Sequence, residues 1–368
     1  MKVRHIFILI LSAATIGILV QWSAGEKAFV PLKGKALLAA KQKLGRQMFF
    51  DMSMSDPIGI SCASCHHPSQ GFADPTMAVV SEGAVSGMFG TRNSPTVAYS
   101  AFVPPLHWDE KEELYIGGLF WDGHANTLAE QAAMPMMASN EMNNKDKARV
   151  VGVVKKASYS NLMLEIYGPN AFDNVDSAFS HITECISAYE RSPEVNPFSS
   201  KYDHYLKGKA KLTAQEKRGL ELFVDVKKGN CAACHPTEPD PATGKVLFTD
   251  FSYDNIGTPV NKELLKKTPT YQKDLGLGAF VKKDSENGKF RVPTLRNVAV
   301  TPPYLHNGIF NTLEEVVRFY NERDHGKFGE PEVAENVNQE ELGDLKLTEQ
   351  EVQDIVAFMK TLTDGYQP

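Results

Sequence analysis

The feature that most constrains this chain is the sequence Cys-x-x-Cys-His, which occurs twice. In this spacing two thiols bond covalently to one haem, and the adjoining histidine binds the iron. Two copies therefore predict two haem c groups and redox chemistry. The predicted attachment residues are Cys62, Cys65 and His66 for the first haem, and Cys231, Cys234 and His235 for the second.

Zinc binding and a redox disulfide are the alternative interpretations of these motifs. A structural zinc site uses four Cys or His ligands, usually from two such motifs folded together. Only one other cysteine, Cys185, is present, and a redox disulfide does not require a histidine after its second cysteine. We expect Cys185 to be a small buried apolar residue of a helix.

The amino terminus has the pattern of a secretory signal peptide over residues 1–24. Lys2 and Arg4 precede an apolar run at residues 6–20, and small residues follow it. Because haem c is attached outside the bacterial cytoplasm, this pattern and the haem motifs together predict a periplasmic protein. Trp22 is bulky at a position that favours a small residue, so an uncleaved membrane anchor is the alternative.

The composition is typical of a soluble globular protein, with 42% hydrophobic and 23% charged residues. A length of 368 residues favours two domains. The formal charge of −6 argues against a nucleic acid partner. Lysines gather in residues 201–217, where they form either a docking surface for a redox partner or, on the simpler interpretation, a solvated helix face.

The two halves of the chain echo each other around the two haem motifs. The spacing is far longer than that of a solenoid repeat. We therefore predict a mainly α fold of two cytochrome c-like helical domains, related by internal duplication and joined by long loops. The predicted units are residues 25–189, a proline- and serine-containing linker at 190–203, and residues 204–368. The matching segments are residues 44–51 and 218–225, 92–98 and 293–299, and 120–130 and 304–315.

Helix starts are marked by threonine followed three residues later by glutamate, the spacing of a capping box. Glu130 and Glu315 occupy the glutamate position of two such boxes, so we expect them to cap helices rather than to catalyse a reaction. The four predicted boxes are Thr127 and Glu130, Thr213 and Glu216, Thr312 and Glu315, and Thr348 and Glu351.

The sixth ligand of each iron decides whether a haem only passes electrons or also binds peroxide. For the second haem the candidates are Tyr320, His306 and His325, although Tyr320 is equally in phase with the apolar face of its helix. For the first haem the following segment contains no histidine and offers only Met77 and Met88. An open or easily vacated sixth position is therefore predicted at the haem of His66.

Peroxide cleavage also needs a group that takes a proton from bound hydroperoxide and returns it to the leaving oxygen. The segment after Trp121 offers Gln131 and Glu141, with Pro135 between them. Glu141 stands among methionines, which favours partial desolvation. The alternative is a surface glutamate that follows the end of a helix.

From about Leu44 to Tyr320 the chain resembles the bacterial di-haem cytochrome c peroxidases, a family that includes the MauG-like enzymes. The motifs that carry the resemblance are the two haem motifs and residues 92–96, 120–123, 131, 141–142, 292–297 and 304–308. The resemblance implies that Trp121 lies between the two haems and helps electrons pass. It also implies that Gln131, Pro135 and Glu141 line the peroxide pocket, with Glu141 as the acid–base catalyst.

The resemblance further implies a calcium ion between the domains, bound by Asn93, Thr301 and Pro303. Oxygen ligands, which here include backbone carbonyl groups, suit that ion.

Two departures from the common family pattern point to the MauG-like branch. Many members place a blocking histidine where this chain has residues 81–83, so its peroxide site should be open at rest. Tyr320 stands where many members have methionine, and an anionic oxygen ligand stabilises ferric and higher oxidation states. However, Gly229 stands where MauG has a surface tryptophan, which argues against the protein-oxidising route of MauG itself.

The predicted function is therefore a periplasmic di-haem peroxidase. It would reduce hydrogen peroxide with electrons from a small cytochrome c or copper protein. A MauG-like enzyme that oxidises residues of a partner protein is the first alternative, and a non-enzymatic di-haem electron carrier is the second. A homodimer is left open.

Overall fold

The structure is a computed structural model that describes residues 31–367, so the predicted signal peptide at residues 1–24 lies outside the described residues. Within that range helices dominate, and no helix is both long and apolar enough to cross a bilayer. The helices of the first half are α1 (Gly34–Phe49), α2 (Cys62–Cys65), α3 (Leu128–Met137), α4 (Lys147–Lys156), α5 (Ser160–Tyr167) and α6 (Val175–Glu190).

The second half repeats this helical character. Its helices are α7 (Lys201–Leu206), α8 (Ala214–Val224), α9 (Lys262–Lys267), α10 (Leu277–Val281), α11 (Leu313–Glu322) and α12 (Glu349–Lys360). The strands form two short antiparallel pairs, β1 (His107–Asp109) with β2 (Leu114–Ile116), and β3 (Tyr253–Asp254) with β4 (Phe290–Arg291). In the first pair Trp108 lies opposite Tyr115, and in the second Tyr253 lies opposite Arg291.

All four predicted capping boxes are confirmed, at the starts of α3, α8, α11 and α12. At α3, for example, the Thr127 side chain accepts a hydrogen bond from the backbone N–H of Glu130, and the Glu130 carboxylate accepts one from the N–H of Thr127. Glu130 and Glu315 therefore cap the starts of their helices, as predicted.

Each half has its own hydrophobic core. In the first, α1 packs on α6, and Leu44, Phe49 and Ile182 are fully buried. Cys185 is also fully buried there, as predicted. In the second, α8 packs on α12 around Phe223 and Phe358.

Two glycines at equivalent positions show the duplication most directly. A Cβ atom on Gly45 of α1 would lie 1.8 Å from the carbonyl oxygen of Cys185 on α6. A Cβ atom on Gly219 of α8 would lie 1.9 Å from the carbonyl oxygen of Asp354 on α12. Both helix pairs therefore cross at a point where only glycine allows the backbones to touch.

Polar contacts hold the two halves together. Arg92 pairs with Asp274 through two hydrogen bonds of 2.6 and 2.8 Å. The Tyr99 hydroxyl donates to Asp364 at 2.7 Å. The segment predicted as a linker, residues 190–203, begins at the last residue of α6 and ends within α7. The halves thus meet through fixed contacts, which positions the residues between the two haem motifs.

Candidate active site

The two haem motifs line two separate cavities. The first cavity, with a volume of about 350 Å³, is lined by Cys62, Cys65 and His66. The second cavity, with a volume of about 210 Å³, is lined by Cys231, Cys234 and His235. Because the two motifs face different cavities and all five cysteines are free, the described residues contain no combined zinc site.

The motif histidines have the state that an iron ligand requires. Burial lowers the pKa of His235 to about 4, and its Nδ1 lies 2.8 Å from the Phe248 carbonyl oxygen, to which it donates. This bond leaves the lone pair of Nε2 for a metal. Burial also lowers the pKa of His66, although the carbonyl groups of Phe72 and Pro95 oppose the shift. In both histidines burial thus favours the neutral imidazole that binds a metal.

The guanidinium group of Arg291 also makes the two cavities suitable for haem. Arg291 lines both cavities, and its Nε donates to the Phe120 carbonyl oxygen at 3.2 Å. Burial lowers its pKa, and none of the salt bridges of the described residues involves it. A cation of this kind suits the anionic propionate groups of haem.

In the second cavity, two of the three proposed sixth ligands are present. Tyr320 and His306 both line it, together with Met359. Burial raises the pKa of the Tyr320 hydroxyl. His325 does not line the cavity, because it is exposed and contacts Asp344 at 3.2 Å.

His306 has an unusual environment of its own. Its ring stacks on Phe290 at 3.6 Å, and burial lowers its pKa to about 3. Its buried Nε2 has no hydrogen-bond partner among the described residues.

The proposed peroxide residues share the first cavity with His66. Gln131 and Pro135 lie one turn apart on α3, so their side chains lie on one face of the helix. The chain then turns back, and the Met142 N–H donates to the Pro135 carbonyl oxygen at 3.1 Å. This turn brings Glu141 into the same cavity.

Backbone contacts fix the position of Glu141 in the first cavity. The Ala84 N–H donates to the Glu141 carbonyl oxygen at 2.7 Å, and the Gly83 Cα lies so close that an added Cβ would meet Asn140 at 2.3 Å. Burial raises the pKa of the Glu141 carboxyl group, and the charge of His124 lowers it by a smaller amount. The alternative of a solvated surface glutamate does not describe this position.

None of the methionines proposed as ligands of the first haem lies in its cavity. Met77 and Met88 are 51% and 41% exposed, and neither lines it. Two other methionines do line the cavity. Met142 is packed in the first hydrophobic core, and Met134 is 41% exposed at the rim.

Trp121 lines both cavities and thus stands in the wall between them. Its indole N–H donates to the Asn93 carbonyl oxygen at 2.9 Å. The Arg291 N–H donates to the Trp121 carbonyl oxygen at 2.8 Å. The side chain and backbone are therefore both fixed between the two motifs.

The three proposed calcium ligands share the lining of the second cavity. Asn93, Thr301 and Pro303 all line it. The Asn93 amide faces the carbonyl oxygens of Ala78 and Val79 at 3.4 and 3.3 Å.

Three cavity residues were missed by sequence reasoning: Glu190, His124 and Arg291. Glu190 is buried, its Oε2 has no hydrogen-bond partner among the described residues, and burial raises its pKa to about 8. Local sequence gave no signal for it, because it stands at the end of an amphipathic helix where a glutamate is usually solvated.

The fold and the two cavities define a redox protein with two c-type haem sites. The model of the family described as "Di-haem cytochrome c peroxidase" matches residues 39–211, and that described as "Cytochrome c" matches residues 216–363. The methylamine utilization protein MauG of Paracoccus denitrificans is 37% identical over 355 residues, which cover 88% of this chain and 89% of that protein.

A curated peroxidase and a solved structure agree with this match. The cytochrome c551 peroxidase of Pseudomonas aeruginosa is 32% identical, with 83% of this chain and 79% of that protein covered. The crystal structure of the diheme peroxidase BthA from Burkholderia thailandensis matches with a TM-score of 0.79 and 35% identity, over 92% of this chain and 87% of that one. The chain belongs to the family of di-haem cytochrome c peroxidases and MauG proteins. It is accordingly an oxidoreductase that acts on peroxide.

Proposed function

We propose that this protein is a periplasmic di-haem peroxidase that reduces hydrogen peroxide with electrons from a small redox protein. The observation that carries the proposal is that Glu141, Gln131 and Pro135 share one cavity with His66. A haem c held by Cys62, Cys65 and His66 would supply the iron at which peroxide is reduced.

The residues of the first cavity supply the proton chemistry. Reduction of one hydrogen peroxide to two waters breaks the O–O bond and consumes two electrons and two protons. The Glu141 carboxyl group accepts the proton of one peroxide oxygen and returns it to the leaving oxygen, a task that its raised pKa suits. The Gln131 amide, one turn before Pro135, orients the peroxide by hydrogen bonding, and the proline limits the space beside it.

Trp121 carries electrons between the two sites, because it lines both cavities and its orientation is fixed by Asn93. Tyr320 is the proposed second ligand of the iron held by His235, and both line the second cavity.

We also propose a calcium ion at Asn93, Thr301 and Pro303. The contacts of the Asn93 amide with two carbonyl oxygens are long, at 3.3 and 3.4 Å. If the amide is turned over, its oxygen joins those carbonyls in a set of hard ligands, and the orientation of an amide is assigned rather than observed. A cation here would also steady the Asn93 carbonyl that holds Trp121.

The second candidate function is oxidation of residues in a partner protein, as a MauG-like enzyme. Tyr320 in the second cavity favours it, because an anionic oxygen ligand stabilises high oxidation states of iron. Steady-state turnover of peroxide with a reduced small cytochrome c or copper protein tests the first function. Negligible turnover together with a long-lived state oxidised by two equivalents would support the second.

The Glu141→Gln variant tests the proposed chemistry. We expect it to contain two haems and to react with peroxide about 10²–10⁴ times more slowly than the wild type in stopped-flow experiments. The matched control is Glu130→Gln, since Glu130 caps α3, the helix that precedes the turn with Glu141, and can be replaced by glutamine in a capping box. Wild-type kinetics in Glu141→Gln would remove this residue from the mechanism.

A further inference from the structure

His124 stands at the edge of the first cavity with one side in solvent. It lines the cavity with Glu141, and 32% of its side chain is exposed. Its ring stacks on Phe120 at 4.0 Å and meets the edge of Phe280, from α10, at 6.3 Å. The imidazole is therefore held in place between the cavity and bulk water.

A chain of charged groups fixes one ring nitrogen of His124. Its Nδ1 is hydrogen-bonded to Asp122. Asp122 in turn pairs with Arg92 at 2.7 Å, and Arg92 pairs with Asp274 of the second half at 2.6 Å. Burial raises the pKa of Asp122, but the bond from His124 and the charge of Arg92 outweigh it, so the carboxylate stays ionised. With Nδ1 engaged, Nε2 is the nitrogen that is free to exchange a proton.

His124 and Glu141 also interact electrostatically. The positive charge of His124 lowers the pKa of the Glu141 carboxyl group, against the larger effect of burial. Three charged residues thus act on His124. Asp122 binds its Nδ1, Arg92 pairs with Asp122, and Glu141 lines the same cavity.

Glu141 alone cannot supply the protons of repeated turnover. Each peroxide takes up two protons, whereas a carboxyl group that returns the proton it has received contributes none of its own. Glu141 is only partly exposed, so we look for a second titratable side chain that reaches both water and the cavity. His124 and Glu82 both do so, but the Glu82 carboxylate accepts hydrogen bonds from Ser86 and Gly87, whereas Nε2 of His124 has no hydrogen-bond partner among the described residues.

We propose that His124, oriented by Asp122 and Arg92, is the proton relay that connects bulk water to Glu141 during peroxide reduction. In each step Nε2 takes a proton from a water molecule at the mouth of the cavity, and the imidazolium then releases that proton from Nε2 to a cavity water that leads to the Glu141 carboxylate. The net change is transfer of one proton from water to the cavity, with no change in oxidation state. This inference rests on the proposed peroxidase function and assigns a positioning and relay role that is distinct from that of Glu141.

The test compares His124→Gln with wild type in the holoprotein. Glutamine retains a hydrogen-bond donor for Asp122 but cannot carry a proton. We expect the rate of peroxide turnover to fall roughly 10-fold or more, and a proton-donating buffer that does not bind haem iron, such as 2-(N-morpholino)ethanesulfonate, to restore it with a saturable dependence. The matched control is His107→Gln, because His107 is an exposed histidine on β1 that lines neither cavity.

A second readout does not depend on turnover. The protonated-carboxyl band of Glu141, identified in infrared difference spectra by its loss in Glu141→Gln, should persist to higher pH in His124→Gln than in wild type. The reason is that loss of the positive charge raises the pKa of Glu141 further. His107→Gln should leave the band unchanged.

The outcomes separate the two proposals. If Glu141→Gln is slow but His124→Gln turns over at the wild-type rate, the relay is refuted and the peroxidase chemistry stands. A slow His124→Gln that the buffer does not rescue, with an unmoved Glu141 band, also refutes the relay and leaves a structural role. If Glu141→Gln itself reacts at the wild-type rate, Glu141 is not the proton carrier of the peroxide site, and a relay that delivers protons to it is refuted as well.

Discussion

Glu190 makes a quantitative prediction about stability, because its carboxyl group is buried beside the first haem motif without a hydrogen-bond partner among the described residues. Glu190 lies at the end of α6, and its charge, when present, raises the pKa of the Cys62 thiol. Burial raises its pKa from 4.5 to about 8, and the nearby charge of Arg191 only partly opposes this. The folded protein therefore keeps a proton that the unfolded chain releases.

The sign and size of the effect follow from proton linkage. Between pH 4.5 and about 8 the folded state binds more protons at Glu190 than the unfolded state does. The free energy of unfolding therefore falls as pH rises, and this residue lowers it by about 4 kcal/mol between pH 5 and pH 9. Glu190→Gln removes the titrating group and should remove this loss.

Guanidinium-induced unfolding of the holoprotein at pH 5, 7 and 9, followed by far-ultraviolet circular dichroism, measures the effect. The stability of Glu190→Gln relative to wild type should rise with pH by about 4 kcal/mol. Glu165→Gln, which changes an exposed glutamate of α5, should show no such trend. A difference between Glu190→Gln and wild type that is equal at pH 5 and pH 9 would refute the argument from burial.

The remaining predictions concern the helix crossing, the second haem and the calcium site. Gly219→Ala should destabilise the protein by about 1–3 kcal/mol or more in the same unfolding assay, because the new methyl group would overlap α12. Gly152→Ala is the control, because open space surrounds Gly152 in α4, and it should stabilise the protein by about 0.5–1 kcal/mol. Equal effects of the two substitutions would contradict the packing argument. Tyr320→Phe should change the optical spectrum of the second haem, and an identical spectrum would return Tyr320 to a packing role. Elemental analysis should find calcium in the wild type and less in Asn93→Ala, and equal calcium in both proteins would disprove the site.

The sequence predicted those features that depend on local pattern. Each of these features is encoded in a few neighbouring residues or in their repetition along the chain. They are the Cys-x-x-Cys-His spacing, the threonine–glutamate capping boxes and the matching positions of Gly45 and Gly219. The resemblance to a family extended this to Trp121 and Glu141, whose positions in the cavities could not be derived from spacing.

Features that arise from tertiary packing were not predictable in this way. Glu190 was assigned to the start of a linker, yet the packing of α6 places it in the first cavity. Met77 and Met88 were candidates only because they follow the first motif, and both turn out to be exposed. His124 carried no signal, because its role depends on a cavity edge built by α3 and the loop that contains Glu141.

The central claim is that the iron held by His66 keeps a face free for peroxide, beneath Glu141. Apart from His66, the only histidine among the described residues that lines this cavity is His124, whose Nδ1 is tied to Asp122. Electron paramagnetic resonance of the fully oxidised resting protein tests the claim directly. The account predicts a high-spin ferric signal from one of the two haems, and a spectrum in which both irons are low-spin would contradict it.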